Sequence, residues 1–265
     1  MIWLFCLLGL VTGSFVNLCA DSLPTKQRLG RAACPYCGRP RPVAATSALV
    51  AFLTGRQRCP ACAAPISVRH VVVELASALI FAFAWLRTGA TWTTLFNVVY
   101  SAILILVTVT DLEHRMILHV VTLPAILLAL LGAFLNPAWA TPKRALLGGA
   151  IGLVATFGIY LLGIAFAGLM GRIRGQPISE VAFGFGDVTL NTFIGLIVRA
   201  PEIIFSMIMG ILLGGIAALL VLVVQGLLRR QYKLFTAIPY GPFLVLGGMT
   251  MLYYGPQVLD WYLHR

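Results

Sequence analysis

Acid is what this chain lacks. Asp and Glu together number eight in 265 residues, against 19 Lys and Arg, and all charged residues make up 10% of the chain. With 60% hydrophobic residues and a mean hydropathy of +0.96, there is too little polar surface to cover a soluble globule. The first stretch, MIWLFCLLGLVTGSFVNLCA, lacks a basic leading region and a small-residue cleavage site, so it reads as a retained span and not a removable leader. A glycine-rich nucleotide loop of the G-x-G-x-x-G form is missing too. What remains is an all-α polytopic membrane protein.

Windows of 18 to 20 apolar residues, about the length a helix needs to cross the hydrocarbon, predict about eight transmembrane helices. They fall near residues 1–20, 71–88, 93–112, 117–135, 145–170, 187–200, 203–228 and 239–259. The sixth is short, and seven spans with one re-entrant piece are an alternative. The segment from Ser22 to His70 carries eight basic residues (Lys26, Arg28, Arg31, Arg39, Arg41, Arg56, Arg58 and Arg69) and no acid. That asymmetry assigns it to the cytoplasm. Eight spans then put 14 Lys and Arg inside and five outside. The expected organisation is a first span (1–21), a cytoplasmic loop domain (22–70) and a helical membrane core (71–265). The basic excess fits topology and anionic lipid headgroups, so the lipid bilayer, and no nucleic acid, is the expected partner.

The cytoplasmic loop holds two C-x-x-C pairs, Cys34 with Cys37 and Cys59 with Cys62, separated by 21 residues. Two such turns at that spacing suit one tetrahedral zinc on four thiolates. A loop poor in apolar residues needs a staple of this kind to hold a shape. Two disulfides are the alternative, disfavoured on the cytoplasmic side. Cys6 and Cys19 lie in the first span as small apolar residues.

With so few acids, each one near a span asks for a reason. Asp111 closes the third apolar segment, and Asp187, in GFGDVTL, opens the sixth. The topology puts both at the cytoplasmic end of their spans. Two carboxylates that approach each other share one proton, so that one activates water as general base while the other protonates the scissile group. This is aspartyl peptidase chemistry. Gly184 and Gly186 would then leave room for an extended substrate backbone. The plainer alternative makes Asp187 the N-cap of its helix and the glycines only a turn. Glu74, at the cytoplasmic start of the second span, is either a contact to a substrate amine or a methyl donor, or an acid at a helix N-terminus. Glu180 is a candidate for meeting a basic substrate segment. Scarce carboxylates also suit a transporter or proton relay, and the cysteines alone would suit a zinc-organised scaffold. The glycines of GGAIG and GILLGG read as close helix packing.

In this order and spacing, the motifs resemble those of the type IV prepilin peptidases, polytopic aspartyl peptidases of the GxGD type. The matching stretches are GSFVN (Gly13 to Asn17) with Leu23-Pro24, and the paired C-x-x-C loop ending in ISVRHVVVE (Ile66 to Glu74). TDLEHRMI (Thr110 to Ile117) with Leu123-Pro124, GFGDVTL, and PYGPFL (Pro239 to Leu244) follow. The resemblance implies an endopeptidase of the bacterial inner membrane. It would cut the leader of type IV prepilins or type II secretion pseudopilins after a glycine, at the cytoplasmic face, with Asp111 and Asp187 as catalytic residues. It also implies methylation of the new N-terminal amine from S-adenosylmethionine, and zinc on Cys34, Cys37, Cys59 and Cys62. Two departures stand out. Thr189 occupies a position where the family commonly has lysine, and His119 with Leu123-Pro124 replaces a segment that often carries another aspartate.

Overall fold

The computed structural model describes residues 1–26, 30, 33–34, 36–40, 46–136, 142–174, 183–227 and 239–264. The described residues are helical apart from turns and two isolated β-bridges. The elements are α1 (Ile2–Ser22), α2 (Ala48–Leu53), α3 (Val68–Thr88), α4 (Trp92–His114), α5 (His119–Leu135), α6 (Pro142–Arg174), α7 (Phe185–Val198), α8 (Glu202–Leu227) and α9 (Gly241–Leu263). Eight of them fall on the eight apolar segments of the sequence. The ninth, α2, is a six-residue helix inside the loop between α1 and α3.

Five helices, α1, α3, α4, α6 and α8, are both long and apolar enough to cross a membrane. The sixth apolar segment, α7, has 14 residues, about 21 Å of helix against a hydrocarbon core of about 30 Å. Its reach is therefore shorter than a full crossing. α5 has 17 residues, and α9 has the length, 23 residues, with a more polar mixture of Tyr, Gly, Pro and Gln. Large apolar side chains are exposed along α1, α3, α6 and α8, as lipid contact requires. The chain is a multi-pass membrane protein.

The residues group into two compact units, Met1–Thr110 and Asp111–Arg265. In the first, α1 packs along α3 and α2 sits against α3. The approach of α1 to α3 is so close that a Cβ at Gly13 would lie 2.7 Å from Glu74 Cα. Small residues that let backbones meet are how helices associate where lipid removes the hydrophobic drive.

In the second unit α7 is the centre, packed against α5, α6, α8 and α9. It is the most buried helix of this unit, with every residue from Asp187 to Val198 buried except Thr192. Gly148 and Gly152 of the GGAIG stretch lie directly on the α7 backbone, as the sequence led us to expect. A short helix wrapped by four others gives a rigid mount for whatever its first turn carries.

Candidate active site and metal centre

Asp187 is the third residue of α7, and not its N-cap. Gly184 holds the N-cap position, and its N–H donates to Asp187 Oδ2 at 2.9 Å. An acid here satisfies an orphan amide of the first turn and sits well in the helix dipole. Its own backbone N–H also interacts with the carboxylate, and among the described residues no other group donates to it.

Asp111, on α4, has a parallel arrangement. The N–H of Gly241, the first residue of α9, donates to Asp111 Oδ2 at 2.9 Å, and Asp111 is buried. Among the described residues no other group donates to Asp111. Asp111 is near enough to interact electrostatically with Asp187. One side chain ties the two together: a Cβ on Gly241 would lie 3.4 Å from Ile117 Cδ1, and a Cβ on Gly186 2.8 Å from Ile117 Cβ. Ile117 thus fills the space between the glycine that holds Asp111 and the turn that holds Asp187.

The two glycines of the GxGD turn have different reasons. Gly186 is required by Ile117, which leaves no space for a side chain, so packing explains it without a substrate. Gly184 is exposed, and a Cβ there would meet nothing closer than Asp187 Oδ2 at 3.6 Å. Its backbone is extended, at φ −90° and ψ 162°, which other residues adopt. Neither strain nor crowding calls for glycine at 184.

Aromatic rings line both sides of this turn. Phe183 meets Tyr240 edge-on with centroids 5.6 Å apart, and Phe185 meets Tyr160 at 5.8 Å and His119 at 5.6 Å. Tyr240 also interacts electrostatically with Asp187. Thr189, where lysine is common, pairs its hydroxyl with Thr122 of α5 at 3.1 Å and donates to the Gly186 carbonyl at 2.9 Å. A buried hydroxyl pair thus joins α5 to α7 at this position.

Glu74 is fully buried and saturated. Its carboxylate accepts from the hydroxyls of Ser14 and Ser47, both at 2.8 Å, and from the N–H groups of Ala48 at 2.8 Å and Leu49 at 2.9 Å. Four donors leave a carboxylate little capacity for a substrate. Glu180 lies outside the described residues.

The four cysteine sulfurs of the loop all lie within 4.8 Å of one another. Cys34 is 3.6 Å from Cys62, and Cys37 is 3.7 Å from Cys59. A disulfide would need about 2.05 Å, and all six cysteines are free. A zinc with Zn–S bonds of about 2.3 Å sets its tetrahedral edges at about 3.8 Å, so the donor set fits one ion.

The two knuckles repeat each other. Cys34 N–H donates to the Arg39 carbonyl and Gly38 N–H to the Cys34 carbonyl; Cys59 N–H donates to Ala64 and Ala63 N–H to Cys59. Backbone N–H groups of Cys37 and Tyr36 hold the Cys34 thiol below its usual range, and those of Ala61 and Cys62 bring Cys59 to about 6. Amides pointing at a sulfur stabilise the thiolate that a metal needs. Against the pull of the Ala64 amide, burial and the neighbouring sulfurs push the Cys62 thiol up to about 12.

Sequence reasoning missed the Gly241 amide, Ile117 and the clamp on Glu74. The PYGPFL stretch was visible, but a backbone donor leaves no residue-type signal.

The chain matches two family models in succession. The bacterial peptidase A24 N-terminal domain covers residues 7–88, and the type IV leader peptidase family covers residues 98–219. Among curated proteins it is similar to the prepilin leader peptidase/N-methyltransferase of Aeromonas hydrophila, at 27% identity over 92% of this chain and 78% of that protein. The protein of that name in Pseudomonas aeruginosa is 26% identical, over 97% of this chain and 91% of its own length. The one in Bacillus subtilis is 27% identical over 99% and 98%. No solved structure matches. The first match contains the four cysteines and the Glu74 clamp, the second contains both aspartates, and together they span most of the chain: it belongs to the type IV leader peptidase family.

Proposed function

We infer that this protein is an aspartyl endopeptidase for prepilin-type substrates, with Asp111 and Asp187 as its catalytic residues. The observation that carries this reading is the matched pinning of the two carboxylates. Each has one oxygen fixed by a glycine N–H, and apart from Asp187's own N–H no other group among the described residues donates to either carboxylate. Neighbouring carboxylates in a water-poor site hold one proton between them.

In the cleavage step the ionised carboxylate takes a proton from water as the water oxygen bonds to the scissile carbonyl carbon. The protonated carboxyl gives its proton to the carbonyl oxygen. Collapse of the tetrahedral intermediate breaks the C–N bond, and a proton passes to the leaving amine. The Gly184 and Gly241 amides hold both carboxylates in register through these transfers, which supports catalysis by placement. The open backbone at Gly184 offers a lane for an extended substrate, flanked by Phe183 and Phe185.

The substrate class comes from the relatives' names and from the resemblance. It is the leader of a type IV prepilin or a type II secretion pseudopilin, cut after glycine at the cytoplasmic face of the inner membrane. The same names support methylation of the exposed amine by S-adenosylmethionine. The four thiolates of Cys34, Cys37, Cys59 and Cys62 would hold zinc in a structural role, since four protein ligands leave no open position.

The test is cleavage of a prepilin-like substrate by the full-length protein reconstituted in lipid. Wild type should cleave, and Asp111→Asn and Asp187→Asn should each lose activity while keeping their fold. Cleavage by either variant at the wild-type rate removes that aspartate from the reaction.

A further inference from the structure

Glu74 is deeper than a loop should reach. α3 has 21 residues, about 32 Å of helix, little more than the hydrocarbon core of about 30 Å. Arg69 stands at one end and Arg87 at the other, so the apolar slab fills nearly all the helix between them. Glu74 is the sixth residue after Val68, about 9 Å along the axis. α1 gives the same depth: Ser14, which donates to Glu74, is eight residues before Ser22, about 12 Å from the helix end.

Glu74 nevertheless receives the N–H groups of Ala48 and Leu49 and the hydroxyl of Ser47. These belong to the loop that carries the cysteines. Taking the ends of α1 and α3 as the edge of the hydrocarbon, α2 starts below that edge. Its small side chains, Ala48 and Ala51, are buried, while Val50, Phe52 and Leu53 are 44%, 54% and 76% exposed.

The helix ends abruptly after those apolar residues. Arg56 N–H reaches the Ala51 carbonyl at 2.8 Å, and Gly55 turns the chain at φ +70°, a left-handed stop that glycine adopts without strain. Arg56, Gln57 and Arg58 then follow, all exposed. No acid occurs between Asp21 and Glu74. An apolar tip at acyl-chain depth, closed by two guanidiniums at headgroup depth, has the charge order of an anionic bilayer interface. Arginine's planar fork suits phosphate.

We propose that α2 is a re-entrant foot of the cysteine loop: Val50, Phe52 and Leu53 sit among lipid acyl chains, and Arg56 and Arg58 bind the phosphates of anionic lipid. Glu74 is the post on which the foot is mounted. The foot holds the knuckles against the membrane independently of the peptidase reading. Water-exposed apolar residues at these positions would have no reason; lipid supplies one.

The experiment uses full-length protein carrying Leu53→Trp in nanodiscs, with lipids brominated on their acyl chains. Subtracting the wild-type emission isolates the added indole. It is expected to be quenched at least about twofold, as for a side chain at the acyl boundary. An added indole with water-like emission and no quenching overturns the proposal. Val50→Trp repeats the measurement from the other end of the face, so that a failure of one variant to fold does not decide the matter. Quenching should be stronger in phosphatidylglycerol discs than in phosphatidylcholine discs, and Arg56→Gln with Arg58→Gln should erase the difference. A lipid preference that survives the double variant overturns the phosphate assignment. Relief of quenching by an uncut prepilin-like substrate would identify the occupant as substrate and not lipid, and would overturn the proposal as well.

Discussion

The N–H of Gly241 reaches back 130 residues to hold Asp111 Oδ2 at 2.9 Å. No side chain takes part on the glycine's side, so the contact depends on the backbone path of α9 and on the absence of a Cβ. A Cβ at Gly241 would lie 2.6 Å from the same oxygen, which is tighter than a relaxed carboxylate accepts.

Gly241→Ala is therefore expected to displace Asp111 while leaving the zinc knuckles and α7 intact. Misplacement of a reacting group by about 1 Å can lower the rate about a hundredfold. The loss should appear in kcat for a prepilin-like substrate, with a melting temperature close to wild type. Undiminished kcat would show that the amide does not position Asp111.

The two glycines of the GxGD turn should separate under the same substitution. Gly186→Ala forces Ile117 aside and is expected to destabilise the fold by about 1–3 kcal/mol through overpacking. Gly184→Ala adds a methyl to open space and should fold as wild type. If a substrate strand passes Gly184, KM or kcat worsens in that variant alone. Equal stability loss in both variants would contradict this division.

The cysteine knuckles differ at one matched position. Gly38 has φ +70° and Ala63, its counterpart, φ +56°. The left-handed region costs a non-glycine residue about 1–2 kcal/mol, partly offset by the greater unfolded entropy of glycine. Ala63→Gly is expected to strengthen zinc retention in a chelator challenge, and Gly38→Ala to weaken it. The reverse order would mean that the knuckle turn does not limit the site.

Zinc content should fall on conversion of Cys34 and Cys59 to Ser, as measured by elemental analysis of the purified protein. The amides of Ala61 and Cys62 bring the Cys59 thiol to about 6. A lowered value favours the folded thiolate above the unfolded value, and that contribution is lost as pH falls through the folded one. Zinc retention should weaken progressively as pH falls from the range of an unfolded thiol, near 9, toward about 6. Release already complete at neutral pH would contradict the thiolate assignment.

Apolar windows were enough to locate eight helices to within a few residues, because the bilayer fixes span length. The cysteine spacing likewise announced the cluster, since two C-x-x-C turns have few other uses. α2 went unseen: six residues carry no periodic signal, and its mount on Glu74 joins segments 26 residues apart. Glu74 looked like an available acid because sequence does not show that Ser14, Ser47 and two amides already occupy it. Asp187 read equally as an N-cap or a reacting group; its place at the third position of α7 lets its carboxylate serve the helix turn from inside the helix. Thr189 broke a familiar pattern, and only its contact with Thr122 shows what it does there.

The pairing of Asp111 with Asp187 is tested most directly by the cleavage rate of one prepilin-like substrate in lipid. Wild type, Asp111→Asn, Asp187→Asn and the double variant should be compared, with folding checked by zinc content and thermal stability. Residues that act as one unit are not additive. Each single variant should lose essentially all cleavage, and the double variant should be no worse than either. A single variant that retains substantial cleavage, or losses that multiply in the double variant, would contradict a shared catalytic pair.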